Sequence, residues 1–233
     1  MVDPVITFEH VTKMIYNKKI IHDIHFQLPK GKIIGMVGPN GSGKSTILKL
    51  MAGLILPSKG NISLYGNHIT RRSSQSIAYL PEKSGYYPFY TVRETISYHN
   101  RIYKDFNLEK ATDMIKFMRL NANEKVSSLS KGHVSRLKIV LALSRQAPLI
   151  LLDEPLTGLD PMMRASIIKG LIAFLDIPEQ TIVITTHEVM EIEPLLDMVL
   201  AIRNGEIIKF DDLDNIRELA GGNLLDWMTN TYT

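Results

Sequence analysis

Residues 38–45 read Gly-Pro-Asn-Gly-Ser-Gly-Lys-Ser. The spacing G-x-x-x-x-G-K-[ST] lets backbone N–H groups and a following helix N-terminus cradle phosphates. Gly38, Gly41 and Gly43 let the backbone approach a ligand closely, with Pro39, Asn40 and Ser42 between them. Lys44 would neutralise the outer phosphates, Ser45 would ligate Mg²⁺, and Thr46 follows them into the helix. A glycine-rich turn with a surface lysine does not account for three glycines, a lysine and two hydroxyls at one strand-to-helix junction. Residues 149–154, Leu-Ile-Leu-Leu-Asp-Glu, put Asp153 and Glu154 at the carboxyl end of a buried strand, where open α/β sheets bind ligands. The two acids point in opposite directions, Asp153 suited to Mg²⁺ through its water shell and Glu154 to orienting or deprotonating an attacking water. Alone, they read equally well as a surface carboxylate pair. Beside a phosphate loop they imply a magnesium-bound nucleotide and its hydrolysis.

The elements that must hold these residues can be read from the apolar pattern. Residues 5–10, 20–28 and 33–37 read as strands, with Ile20, His22, Ile24, Phe26 and Leu28 on one face of the second. After the phosphate loop a helix ends near Gly53, and residues 61–65 and 76–80 read as further strands. From about 91 to 145 there are three helix-like segments, the candidate subdomain. Apolar strands return at 148–152 and 181–185, separated by a helix with Asp160 as cap and Pro161 at its first position. Strands with continuous apolar runs that alternate with helices imply a parallel sheet covered on both faces. Asn204-Gly205 between apolar segments marks a hairpin, so that end of the sheet is expected to be antiparallel.

Composition narrows the function classes. In 233 residues, 45% are hydrophobic and 22% charged, which excludes a disordered or collagen-like chain. Lys plus Arg 27 against Asp plus Glu 24 leaves +3, too mild an excess to make nucleic-acid binding the default. With no cysteine there are no disulfides, thiolate metal sites or cysteine nucleophiles, and a reducing compartment fits. His22 and His25, three apart on a strand, face opposite sides and offer no zinc site. No stretch is long and apolar enough to span a membrane, and the first residues lack a signal-peptide pattern. The expected place is the cytoplasm.

Residues 129–133, Leu-Ser-Lys-Gly-His, open a further helix ahead of the Asp153-Glu154 pair. With them the chain resembles the ATP-binding subunits of ABC transporters. The resemblance runs to about residue 215, with Tyr16, the phosphate loop, Glu82, Ser130, Asp153-Glu154, Leu159-Asp160 and His187 in the family's order. It implies an α/β fold: a P-loop NTPase core of mainly parallel sheet, an N-terminal antiparallel β part and an inserted helical subdomain. Residues 1–84 and 146–220 would form the core, about 85–145 the helical part and 221–233 a short tail anchored by Trp227. Two subunits would meet head to tail around two Mg·ATP, each ATP lying between one phosphate loop and the other subunit's signature. The partner subunit would be a second copy or a related ATPase. Tyr16 would stack on adenine, or serve only as a strand-edge aromatic. Ser130 and the Gly132 amide suit an incoming γ-phosphate, and His187 can donate to it or simply close a strand end. A dimer role for Asp160, beyond capping its helix, is implied by the family alone.

Two departures are visible. The family usually has glycine and glutamine where this chain has Lys131 and His133, and glutamine where it has Glu82. A carboxylate at Glu82 can ligate Mg²⁺ but adds negative charge and cannot donate to water. Leu-Pro-Glu here is frequent in export-type subunits, which points toward export. After Glu82, residues 86–90 hold four aromatics out of 17 in the chain. Polar-tipped rings favour interfaces, and the family implies that Tyr86, Tyr87 and Tyr90 meet a short helix of a membrane permease. The protein would then sit peripherally on the inner face of the cell membrane. An ABC-type ATPase of a soluble complex in DNA repair or translation, or a low-turnover ATP sensor, is the alternative.

Overall fold

A computed structural model describes residues 4–82, 86–177 and 179–232, apart from the Ser74 side chain. The expected boundary at residues 84 and 85, with Ser84 and Gly85 ahead of the aromatics, lies outside the described residues, as does the N-terminal tripeptide of the signal-peptide argument. Strands β1 (Pro4–Ile15), β2 (Lys18–Pro29) and β3 (Ile33–Val37) lead into helix α1 (Lys44–Met51). Then come β4 (Lys59–Leu64), β5 (Asn67–His68) and β6 (Ile77–Leu80), followed by α2 (Val92–Ile102), α3 (Leu108–Phe117) and α4 (Lys131–Leu143). The remainder is β7 (Leu149–Asp153), α5 (Pro161–Phe174), β8 (Thr181–Thr185), α6 (Val189–Ile192), β9 (Met198–Arg203), β10 (Glu206–Asp212), α7 (Leu213–Ala220) and α8 (Leu224–Tyr232).

Two sheets result. An antiparallel one has the order β2-β1-β4-β5, and a six-stranded one has the order β10-β9-β3-β8-β7-β6. Within the second, β9, β3, β8, β7 and β6 run parallel and β10 closes antiparallel on β9 through the Asn204-Gly205 turn. Its central strands alternate between two cores. Ile150, Leu152, Ile182 and Ile184 pack under the helices, whereas Leu149, Leu151 and Val183 pack with α1 and the antiparallel sheet. Burial on both faces is why these strands carry unbroken apolar runs instead of alternation.

Helices α2, α3, α4 and α5 each start on a residue whose side chain accepts from a first-turn N–H group. Thr91 and Glu94 form a reciprocal capping box on α2, Asn107 caps α3, Ser130 caps α4 and Asp160 caps α5. Two expectations need correction. The first strand runs on to Ile15, because a bulge at His10 (φ 50°) restores the inward pattern at Val11. A second bulge at Asp23 (φ 51°) breaks the single face assigned to β2, so Ile21 is buried with Ile24, Phe26 and Leu28, while His22 is not. Helix α8 (Leu224–Tyr232) lies within the stretch expected as a tail; its Trp227 lies in the core and its Leu224 N–H donates to Glu193 Oε2 at 3.2 Å. Among the described residues no helix is long and apolar enough to cross a membrane.

Candidate functional site

The chemistry-bearing loops leave adjacent parallel strands at their carboxyl ends. The phosphate loop follows β3, His187 follows β8, Asp153 ends β7 with Glu154 directly after it, and Glu82 follows β6. Strand adjacency therefore assembles residues more than a hundred positions apart.

The phosphate loop is shaped by backbone that only glycine tolerates. A Cβ on Gly38 (φ 151°) would meet the Ile202 carbonyl at 2.2 Å, and one on Gly43 (φ 112°) would meet Ile21 Cδ1 at 2.7 Å. The β9–β10 turn backs the loop, since Gly205 N–H donates to the Ser42 carbonyl at 2.9 Å. No side chain caps α1, which leaves its first-turn N–H groups directed at the loop. Lys44 is buried and its Nζ donates to the Gly38 and Pro39 carbonyls at 2.7 and 3.1 Å. Burial pushes its pKa down, opposed by the charges of Glu154 and Asp153. Ser42 Oγ is buried without a hydrogen-bond partner, an orphan that a phosphate oxygen would satisfy.

Asp153 is almost fully buried and holds three hydroxyls. Its Oδ1 accepts from Ser45 Oγ at 3.1 Å and Thr185 Oγ1 at 2.9 Å, and its Oδ2 accepts from the Tyr79 hydroxyl at 3.2 Å. Burial and the Asp153 charge push the Tyr79 phenol well up, so it remains a donor. Ser45 and Asp153 side by side form the hard-oxygen pair that suits Mg²⁺.

Glu154 sits at φ 50°, an unusual conformation for a non-glycine residue. Its N–H donates to the Thr185 carbonyl and Oγ1 at 3.1 and 3.0 Å. Its Oε2 accepts from Thr157 Oγ1 at 2.9 Å and from the His187 N–H at 3.2 Å. His187 Nε2 lies 3.1 Å from Oε1 without hydrogen-bond alignment, so Oε1 is buried beside the imidazole and accepts no hydrogen bond. A carboxylate held through one oxygen with the other free is placed to take a proton from water.

Glu82 is exposed, and its carbonyl accepts from Lys138 Nζ at 2.9 Å. Lys131, Lys138, Glu82, Glu154 and Thr157 line one cleft of about 450 Å³, so the two charge departures face the same space. Ser130 Oγ is engaged with the His133 N–H at 3.2 Å, and Gly132 packs so closely on α5 that a Cβ would lie 2.8 Å from Met163 Cε. Asp160 Oδ1 accepts from the Met163 N–H at 3.0 Å. Ser130, Gly132 and Asp160 thus share the α4–α5 junction rather than the phosphate loop of their own chain. Tyr16, in the β1–β2 turn at φ 46°, is fully exposed and outside these hydrogen-bonded groups.

Tyr87 and Phe89 are exposed; Tyr87, Phe89 and Tyr90 pack on one another in tilted and edge-on pairs, and Tyr87 and Tyr90 also meet Tyr98 of α2, with centroids 5.0–6.0 Å apart. Tyr86 packs on the core beside His99. Spacing along the chain did not single out Tyr79, Thr157, Thr185 or Tyr98. Of these, Tyr98 had a signal: it is a further tyrosine in the helix that directly follows the aromatics of residues 86–90. Among the described residues no group of three histidine or acidic side chains could hold a metal, although His10 and His25 come within 5.6 Å, brought together by the bulges.

A family described as ABC transporter matches residues 21–157. The Nod factor export ATP-binding protein I of Rhizobium etli is 33% identical over 231 residues, covering 95% of this chain and 72% of its own. The linearmycin resistance ATP-binding protein LnrL of Bacillus subtilis is 30% identical over 229 residues, covering 95% and 73%. A solved ATP-binding subunit of an ABC transporter superposes with a TM-score of 0.87 at 23% identity, over 98% of this chain and 100% of that one. A bacterial Atm1-family ABC exporter with ATP bound superposes with a TM-score of 0.81 at 24% identity, over 100% and 43%.

Proposed function

The chain belongs to the ATP-binding subunits of ABC transporters and is an ATPase of that family, and from that premise we propose how it works: two subunits close around two Mg·ATP and drive a separate membrane permease. The observation that carries the reading is the convergence of Lys44, Ser45, Asp153, Glu154 and His187 from β3, β7 and β8. Residues 38–46 bind the phosphates, and Lys44 exchanges the Gly38 and Pro39 carbonyls for phosphate oxygens. Ser45, Asp153 and Glu82 would hold Mg²⁺, which would supply charge neutralisation on the phosphates. Glu154 takes the proton of the attacking water through its free Oε1, and His187 orients the γ-phosphate. Catalysis then rests mainly on position and charge.

Ser130 and Gly132, at the start of α4, meet the γ-phosphate of the opposite subunit, Asp160 lies at the same seam, and Tyr16 stacks on the adenine. Residues 1–84 and 146–220 act as the nucleotide-binding core, 85–145 as the helical subdomain and 221–233 as the tail. The aromatic surface of Tyr86, Tyr87 and Tyr90 receives the permease, which places the subunit on the inner face of the membrane. Its direction is export, supported by Glu82 and by a relative named for Nod factor export. The test is affinity capture of the tagged chain from detergent-solubilised membranes of its own cell. Wild type should recover a multi-spanning protein, and a Tyr86→Ala, Tyr87→Ala, Tyr90→Ala triple variant should not. Recovery of soluble proteins or nucleic acid alone would overturn the permease reading.

A further inference from the structure

Arg164, in the first turn of α5, bridges two loops of the site. Its Nε donates to the Leu159 carbonyl at 3.0 Å, just before Asp160. One terminal nitrogen lies 2.6 Å from Glu188 Oε1 and the other 3.8 Å from Glu191 Oε1, with the arginine side chain 18% exposed. Glu188 directly follows His187, whose N–H donates to Glu154 Oε2 at 3.2 Å. Thr157, two residues before Leu159, donates to the same oxygen at 2.9 Å. The contacts close a ring that passes from Glu154 through His187, Glu188, Arg164, Leu159 and Thr157 back to Glu154.

We propose that Arg164 is a positioning residue: through Glu188 and the Leu159 carbonyl it holds His187 and Thr157 on the Glu154 carboxylate, linking the loop that carries Asp160 to the group that activates water. The inference rests on the ATPase reading above, yet concerns a side chain that touches neither nucleotide nor water. Two features support it. Glu154 keeps a left-handed backbone (φ 50°), which persists only where its surroundings over-determine it. The guanidinium is also the one side chain that can serve a carbonyl and two carboxylates at once from a rigid plane, whereas an ammonium at that place would hold one of them.

The test compares the full-length wild type with Arg164→Ala and Arg164→Lys by hydrogen–deuterium exchange, turnover and fluorescent-nucleotide affinity. Arg164→Ala should speed exchange several-fold in both 154–160 and 186–189 while strands β3 and β7 stay protected. Turnover should fall roughly 10- to 100-fold, as expected for a misplaced catalytic group, with nucleotide affinity and thermal midpoint near wild type. Arg164→Lys should recover part of the rate. Should the alanine variant not fold, Glu188→Gln weakens the same link from its other end and should give the same two-segment pattern. Faster exchange confined to 159–164 or spread over the whole sheet, turnover within twofold of wild type, or turnover lost together with affinity would each overturn the inference. A wild type with no turnover that Glu154→Gln removes would instead count against the ATPase reading, and the exchange pattern would still decide the role of Arg164.

Discussion

Asp153 and Glu154 are neighbours in sequence with different surroundings: the first accepts from three hydroxyls, and the second keeps one buried oxygen without a hydrogen bond. Tyr79→Phe removes one of the three donors, worth about 1 kcal/mol. The Mg²⁺ concentration for half-maximal turnover should therefore rise several-fold, while nucleotide binding measured in EDTA is unchanged. Lys44→Ala should abolish detectable nucleotide binding in the same assay, because it removes the buried cation that the Gly38 and Pro39 carbonyls hold beside the phosphate loop. The phosphate loop, the acid pair and His187 were legible in the sequence because their spacing lies within one short segment each. Tyr79, Thr157, Thr185 and Arg164 were not. Tyr79, Thr185 and Arg164 act across strands or between loops, through pairings that exist only once β6, β7 and β8 are side by side, and Thr157 reaches Glu154 only because the chain turns back after β7.

The β9–β10 turn shows how an element supports chemistry it does not perform. Gly205 (φ 78°) donates to Ser42 of the phosphate loop, and a Cβ there would stand 2.1 Å from the Ile20 carbonyl. Gly205→Ala should cost about 2 kcal/mol, lowering the thermal midpoint by roughly 4–8 °C, and should weaken nucleotide binding with it. Helix α2 carries a pH signature. Burial, reinforced by the Arg145 charge, holds His99 below its ordinary value against a 2.9 Å hydrogen bond to the Thr95 carbonyl. The unfolded chain therefore binds this proton first, so the stability contributed by neutral His99 is present above about pH 6.5 and lost as pH falls below it. Urea midpoints at pH 7 and pH 5 should drop less for His99→Gln than for wild type. At this scale the type and order of the elements were legible, including the Asn204-Gly205 hairpin and the Asp160 cap. The bulges at His10 and Asp23 were not, because non-glycine residues there adopt left-handed backbone that only strand pairing enforces.

Across the whole molecule, one six-stranded sheet separates two cores and offers all its chemistry along one edge of strand ends. That architecture follows from unbroken apolar strands alternating with capped helices, which is why the fold class could be read before the contacts. Ser130, Gly132 and Asp160 lie together at the α4–α5 junction, the surface that the proposed head-to-tail pairing would use. The proposed hydrolysis turns on a single carboxylate. The most direct measurement is phosphate release by wild type and Glu154→Gln at saturating Mg·ATP, with bound nucleotide quantified in the same samples. Loss of turnover by roughly 10²- to 10⁴-fold with ATP still bound is the predicted result. Turnover within a few-fold of wild type, or loss of ATP binding along with it, would contradict the account.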